Sequence, residues 1–106
     1  MARALITMPK TARRGEIIEI RTLVAHPMET GYRAGESGQI LPRNIIKRFT
    51  CRYDGEVVFG AELFPAVAAN PYIGFSTVAT VTGPLTFHWE GDNGFAQTET
   101  VDLTVT

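Results

Sequence analysis

The chain has 106 residues, enough for one domain (1–106) with its own core and too few for a second. Its 44% apolar and 20% charged residues are typical of a globular protein, and a formal net charge of −1 argues against a nucleic-acid-binding protein. No run approaches the roughly 18 apolar residues of a membrane-spanning helix, and the start shows no secretory signal. Composition alone therefore predicts a cytoplasmic protein without membrane contact.

In chain order, short runs rich in Ile, Val, Thr and Phe alternate with turns. "RALIT" (3–7) and "GEIIEIRTLVAH" (15–26) are followed by a loop rich in Gly and Pro (27–43). The later runs are "NIIKRFTCRY" (44–53), "EVVFGAELF" (56–64), "YIGFSTVATV" (72–81), "LTFHWE" (85–90) and "FAQTETVDLTV" (95–105). "FPAVAAN" (64–70) is bounded by prolines and predicts a single turn rather than a helix. About seven strands at this spacing predict an all-β antiparallel sandwich or barrel.

The single cysteine, Cys51, lies in a predicted hairpin. A two-residue loop, Asp54-Gly55, would place the apolar residues of the two strands on both faces of the sheet. A three-residue loop, Tyr53-Asp54-Gly55, pairs Cys51 with Val57 and Phe49 with Phe59 on one dry face. We therefore predict the three-residue loop, with Cys51 pointing into the core as a packing residue.

Catalytic and metal chemistry find little support in the residue spacing. The two histidines, His26 and His88, are the only bases available to activate the thiol, and His88 alternates away from the apolar Leu85/Phe87/Trp89 face. No spacing of His, Cys, Asp and Glu is typical of a metal site, and the "EGDNG" turn (90–94) lacks the ligands of a calcium loop. The sequence predicts no catalytic residue, metal or cofactor.

Two loop segments have a composition that turn geometry alone does not explain: "HPMETGYR" (26–33) and "ANPYIGF" (69–75). Each mixes residues that restrict the backbone with polar and aromatic side chains. Loops held by a rigid sandwich are frequent binding sites, so a binding role and a purely conformational role are about equally supported.

Four stretches together resemble the SoxZ family of the bacterial Sox thiosulfate-oxidation system. They are "AHPMETGYR", "FTCRYDGEVVFGAEL", "PAVAANPYIGF" and "GPLTFHWEGDNG", and the resemblance extends from about Ile17 to Val105. The resemblance implies an immunoglobulin-like β-sandwich. It also implies a non-enzymatic subunit that forms a heterodimer with SoxY, whose flexible Gly-Gly-Cys-Gly-Gly arm carries the sulfur intermediates. The last residues given, "TVDLTVT", contain neither a cysteine nor a glycine pair, so this chain is expected to be the partner of the carrier rather than the carrier itself.

The resemblance changes the expected compartment and gives the loops a partner. SoxZ-type chains are expected in the periplasm by co-export with SoxY, without a signal peptide of their own. We expect the partner-binding residues in the two loop segments: Tyr32, Arg33, Asn70 and Tyr72 as contacts, with His26, Pro27, Met28 and Glu29 shaping the loop. Transient contact with other Sox enzymes is also expected, and the chain could form a homodimer when SoxY is absent.

Two alternatives from other classes stay open. One is a thiol-dependent transferase or hydrolase that uses Cys51 with His26 or His88. The other is a general immunoglobulin-like binding module, for which a single tryptophan gives little support.

Overall fold

Most of the chain is extended, as its short runs of β-branched and aromatic residues predict. The computed structural model describes residues 3–106. In these residues one short 3₁₀ turn, Asp92–Gly94, is the sole helical element. The strands are β1 (Ala4–Thr7), β2 (Thr11–Ala12), β3 (Ile17–Val24), β4 (Ile46–Tyr53), β5 (Glu56–Glu62), β6 (Tyr72–Val78), β7 (Gly83–Gly91) and β8 (Ala96–Val105).

The strands form two sheets, which confirms the predicted immunoglobulin-like sandwich. One sheet has the order β1-β3-β6 and the other the order β2-β8-β7-β4-β5. Neighbouring strands are antiparallel, except that the two-residue β2 runs parallel to the end of β8. The sequence did not predict β2, because two residues are too few for any periodicity to be seen.

The core lies between the sheets and is supplied by alternate residues of the central strands. Strand β3 alternates strictly between exposed and buried positions. In β7 the predicted alternation is confirmed, since Leu85, Phe87 and Trp89 are fully buried. Phe49 of β4 packs against Trp89 with ring centroids 5.2 Å apart and against Phe75 of the opposite sheet at 6.0 Å. Residues 64–70 contain no helix, as predicted.

The predicted three-residue hairpin loop is wrong. Tyr53 pairs with Glu56, so the loop has two residues, Asp54 and Gly55, with φ values of 51° and 88°. This left-handed pair of conformations is typical of a type I′ turn. Tyr53 is the last strand residue and is buried. Its hydroxyl donates to the Val81 carbonyl and accepts the amide N–H groups of residues 80 and 81, so it is bound to the connection between β6 and β7.

A bulge in β5 resolves the conflict that had favoured the longer loop. Arg52 pairs with Val57 but Cys51 pairs with Phe59, which leaves Val58 as an extra residue. With a two-residue loop and no bulge, Phe59 would face away from the core. The extra residue of the bulge places Phe59 on the inner face. Phe59 stacks on Phe75 with centroids 4.4 Å apart and an interplanar angle of 9°. The predicted burial of Cys51 is confirmed, although its predicted pairing with Val57 is not.

Candidate partner-binding surface

The two loop segments singled out in the sequence meet in the structure. The amide N–H of His26 donates to Oδ1 of Asn70 at 3.0 Å, and the amide N–H of Asn70 donates to the carbonyl of His26 at 2.8 Å. Asn70 has a φ of 55°, a left-handed conformation that Asn tolerates better than most residues. This joint sets where the chain leaves β3 and where it enters β6.

The His26 side chain stabilises the loop from inside. Its ring is buried and meets Phe95 edge-on, with centroids 4.9 Å apart. Nδ1 lies 3.0 Å from the Met28 amide nitrogen and accepts its N–H, so the ring holds Met28 at a φ of 49°. Burial lowers the pKa of His26, and the negative charge of Asp92 opposes that shift only in part. A neutral imidazole therefore fits this position.

Met28 also stabilises the loop from inside the protein. Its side chain is buried, and its thioether sulfur accepts the Ile46 amide N–H at 3.2 Å. Pro27, between the two buried side chains, is exposed. His26 and Met28 thus lie inside the protein, where they shape the loop rather than meet a partner directly.

The rest of the first segment forms one side of a narrow ribbon. Residues 29 and 44 exchange backbone hydrogen bonds of 2.8 Å in each direction, and Ala34 bridges to Ile40 further out. Glu29 accepts hydrogen bonds from the Arg33 guanidinium at 2.6 and 3.3 Å. The hydrogen bond from Arg33 lowers the pKa of Glu29. This ribbon belongs to the longest connection in the fold, residues 25–45, and connections of that length are uncommon in compact domains, where they are usually functional or linker segments.

Two aromatic side chains of the predicted set are exposed for contact. Tyr32 is 83% exposed on the ribbon, and Tyr72 is 62% exposed on the outer face of β6. Tyr72 lies opposite Leu23, which lies opposite Leu5, so the three form an apolar row across the three-stranded sheet. Exposed aromatic residues of this kind are common anchors in interfaces.

One ionic contact near the loop was not predicted. The Arg43 guanidinium makes two hydrogen bonds of 2.9 Å to the Asp92 carboxylate, which also accepts the Ile45 amide N–H at 3.1 Å. The hydrogen bond from Arg43 lowers the pKa of Asp92. This contact fixes the base of the ribbon to the turn after β7. The "EGDNG" segment showed only a turn signal, and a partner 49 positions away leaves no local pattern.

The geometry does not assemble a thiol active site. Cys51 is fully buried, and burial raises its pKa to about 12. In the register of β4 with β7, Cys51 pairs with Phe87 while His88 pairs with Thr50, so His88 lies on the opposite face. His88 Nδ1 is 2.8 Å from the Thr98 hydroxyl. No hydrogen bond joins Cys51 to a histidine within residues 3–106.

Residues 3–106 contain no group of three His, Cys, Asp or Glu side chains that could bind a metal ion. Over the same residues, no helix has the length and apolar character required to cross a membrane.

Residues 6–102 match the family model described as sulphur oxidation protein SoxZ. The chain belongs to the SoxZ family. Comparison with curated protein sequences gave no match.

Several solved structures share the sandwich fold. The sulfur carrier protein SoxY from Chlorobium limicola f. thiosulfatophilum is 13% identical, and the match has a TM-score of 0.67 over 97% of this chain and 78% of that one. Superoxide reductase (neelaredoxin) from Ignicoccus hospitalis is 12% identical, with a TM-score of 0.71 over 97% of this chain and 80% of that one. At such identities these likenesses show the fold alone.

Proposed function

We propose that this SoxZ-family chain is the non-catalytic subunit that binds SoxY in a sulfur-carrier complex. The observation that carries the proposal is the family match over residues 6–102. The shared fold of a SoxY structure supports it, since two subunits with similar sandwiches can associate through equivalent elements. In this role the chain holds the carrier subunit and performs no chemistry of its own.

The position of Cys51 supports a non-catalytic role for this chain, with the sulfur-carrying thiol on SoxY. A thiol that carries sulfur between enzymes must lie on an exposed, flexible segment and must ionise near neutral pH. Cys51 is in the middle of β4, fully buried, with a pKa of about 12. The working thiol is therefore expected on SoxY, and Cys51 is a packing residue.

The proposal includes the compartment and further contacts. The chain would reach the periplasm together with SoxY, and exposed residues such as Tyr32 and Arg33 would be free for SoxY or for the enzymes that process its arm. Cell fractionation with and without the SoxY export signal tests the first point. Retention of the chain in the periplasm after that signal is deleted would contradict co-export.

Binding is tested by mixing the purified chain with purified SoxY and measuring the mass by light scattering during gel filtration. We expect a peak with the mass of a one-to-one heterodimer that persists on dilution to micromolar concentration. Two separate peaks at the same concentrations would contradict the proposed function. A binding-competent SoxZ-family chain from the same organism as SoxY serves as the positive control.

A further inference from the structure

Strand β6 differs from the other edge strands of the sandwich. Edge strands are normally protected by short length, charges, proline or bulges, because their free backbone groups can pair with another chain. Strands β1 and β2 have only four and two residues, and β5 carries Glu56 and Glu62 and a bulge. Strand β8 is an edge only where β2 does not cover it, and there it carries Glu99 and Asp102. The sequence of β6, YIGFSTV, has seven residues with no charge and no proline, and its pairing with β3 shows no bulge.

The free hydrogen-bonding groups of β6 can be assigned. The Val24 amide N–H donates to the carbonyl of Pro71, its partner in the β3–β6 register. Because the direction of backbone groups alternates along a strand, the odd-numbered residues of β6 face β3. The N–H and C=O groups of the even-numbered residues face away from the sheet. These residues are Tyr72, Gly74, Ser76 and Val78.

Apolar side chains on both faces of this edge are incompletely covered. On the outer face, Tyr72 is 62% and Val78 45% exposed. On the inner face, Phe75 is only half-buried and stacks on the equally half-buried Phe59 of β5. The two sheets are therefore open to solvent between β5 and β6, and a flanking sandwich would cover this opening more fully than a short peptide.

We propose that β6 is the docking edge for SoxY, where an edge strand of the SoxY sandwich adds to the three-stranded sheet. The inference rests on the proposed function, and it names the surface through which the partner binds. SoxY is the occupant that the observations favour: a SoxY structure shares the sandwich fold over 97% of this chain, and an open sandwich has edge strands that can pair with β6. An uncharged strand with exposed apolar side chains suits pairing with such a strand. The charged residues beside it on β3, Glu19 and Arg21, pair with each other at 2.7 Å, so they attract nucleic acid or a charged peptide only weakly.

The geometry also gives two of the predicted contact residues distinct roles. Asn70, in its left-handed conformation, and the His26 joint fix the point where the chain enters β6. Tyr72 then lies at the start of the free edge, beside Leu23 and Leu5 on the outer face. Tyr72 is the contact in this arrangement, and Asn70 is a positioning residue.

The variant Ser76→Pro tests the proposal. Its proline removes an N–H that faces away from the sheet, so the fold is retained, while the ring blocks an added strand. The matched control is Thr100→Pro in the part of β8 that β2 does not cover. Thr104 and Thr106 donate their N–H groups towards β2, so the N–H of Thr100 also faces away from β7. Binding to SoxY is measured by calorimetry, with circular dichroism to verify folding.

We expect Ser76→Pro to weaken SoxY binding about tenfold or more, and Thr100→Pro to change it less than about twofold. Equal affinities for the wild type and a folded Ser76→Pro variant would overturn the docking edge and leave SoxY binding intact. Failure of the wild type to bind SoxY would instead overturn the proposed function.

Amide hydrogen exchange of the wild-type chain provides a second test that requires no variant. On addition of SoxY, the N–H groups of Tyr72, Gly74, Ser76 and Val78 should become protected, while that of Thr100 should not. Complex formation without protection of these groups would overturn the proposal. Protection already present in the chain alone and unchanged by SoxY would assign the edge to a second copy of this chain and would likewise overturn it.

Discussion

The position of the Cys51 side chain predicts an unreactive thiol. Burial among apolar side chains disfavours the thiolate, and a pKa of about 12 leaves almost none of it ionised at neutral pH. We expect native protein to react very slowly with iodoacetamide at pH 8, and protein in denaturant to react at the rate of a free thiol. Mass spectrometry of the labelled chain measures both rates. Rapid labelling of the folded protein would contradict the burial and would revive the thiol-enzyme alternative.

His26 makes stability depend on pH. Its pKa in the folded protein is lowered from the ordinary value of 6.5, so the unfolded chain binds more protons between those two values. The contribution of neutral His26 is fully present above pH 6.5 and is lost as the pH falls from there towards the folded-state pKa. Protonation of Nδ1 would also end its acceptance of the Met28 N–H.

Urea unfolding at pH 7.5 and 5.5 measures this effect. We expect the wild type to lose stability between these values, and His26→Asn, whose Oδ1 can still accept the Met28 N–H, to lose less. Carboxylates with lowered pKa values, such as Asp92, titrate below this window. The same loss in both proteins would show that His26 is not the titrating group.

Some single-residue properties could be predicted from the sequence and others could not. The burial of Cys51 and the alternation in β7 follow from the local pattern of apolar residues, which has a period of two. The roles of His26 and Met28 do not, because they depend on Asn70 and Ile46, which lie far along the chain. His26 and Met28 were expected to shape the loop next to the contact residues, and the structure places their side chains in the interior.

At the scale of the strands, the β4–β5 hairpin shows why loop length is difficult to predict. The requirement that Phe59 face inward was recognised correctly. A longer loop and a bulge both satisfy that requirement, and the choice depends on Tyr53, whose hydroxyl binds the backbone at residues 80 and 81, in the connection between β6 and β7. That contact has no local signature, so the sequence predicted the right face and the wrong register.

The two-residue turn requires a left-handed backbone conformation at Gly55. Its φ of 88° is costly for a residue with a side chain, so Gly55→Ala should lower the free energy of unfolding by about 1–2 kcal/mol. Gly60→Ala in the same hairpin is the control. An added Cβ there meets its nearest atom at 3.9 Å, so we expect no loss beyond about 0.5 kcal/mol.

Chemical denaturation of the two variants measures both values. Equal stabilities of the variants would contradict the left-handed turn at Gly55.

The edge position of strand β6 is another feature of the partner surface that the sequence did not reveal. The sequence identified "ANPYIGF" as unusual, but only the strand order shows that β6 is an edge with its even-numbered backbone groups free. Edge position depends on long-range pairing, which periodicity within one segment does not reveal. The sequence therefore located the segment, and the topology indicates how it could bind.

At the scale of the whole molecule, the fold class followed from the sequence because strand number and spacing are visible along the chain. The sandwich, the single cysteine in its core and the SoxZ family are consistent with one another. They are consistent with the proposed role of a subunit that binds a sulfur carrier and supplies no reactive thiol of its own. The central claim is therefore that SoxY carries the sulfur and that this chain binds SoxY.

One measurement tests that claim most directly. The equimolar mixture of this chain and SoxY is treated with polysulfide, which adds sulfur to accessible thiolates, and is then analysed by native and by denaturing mass spectrometry. We predict a one-to-one complex in which SoxY gains sulfur atoms and this chain keeps its unmodified mass. Sulfur added to this chain, or the absence of a complex with SoxY, would contradict the account.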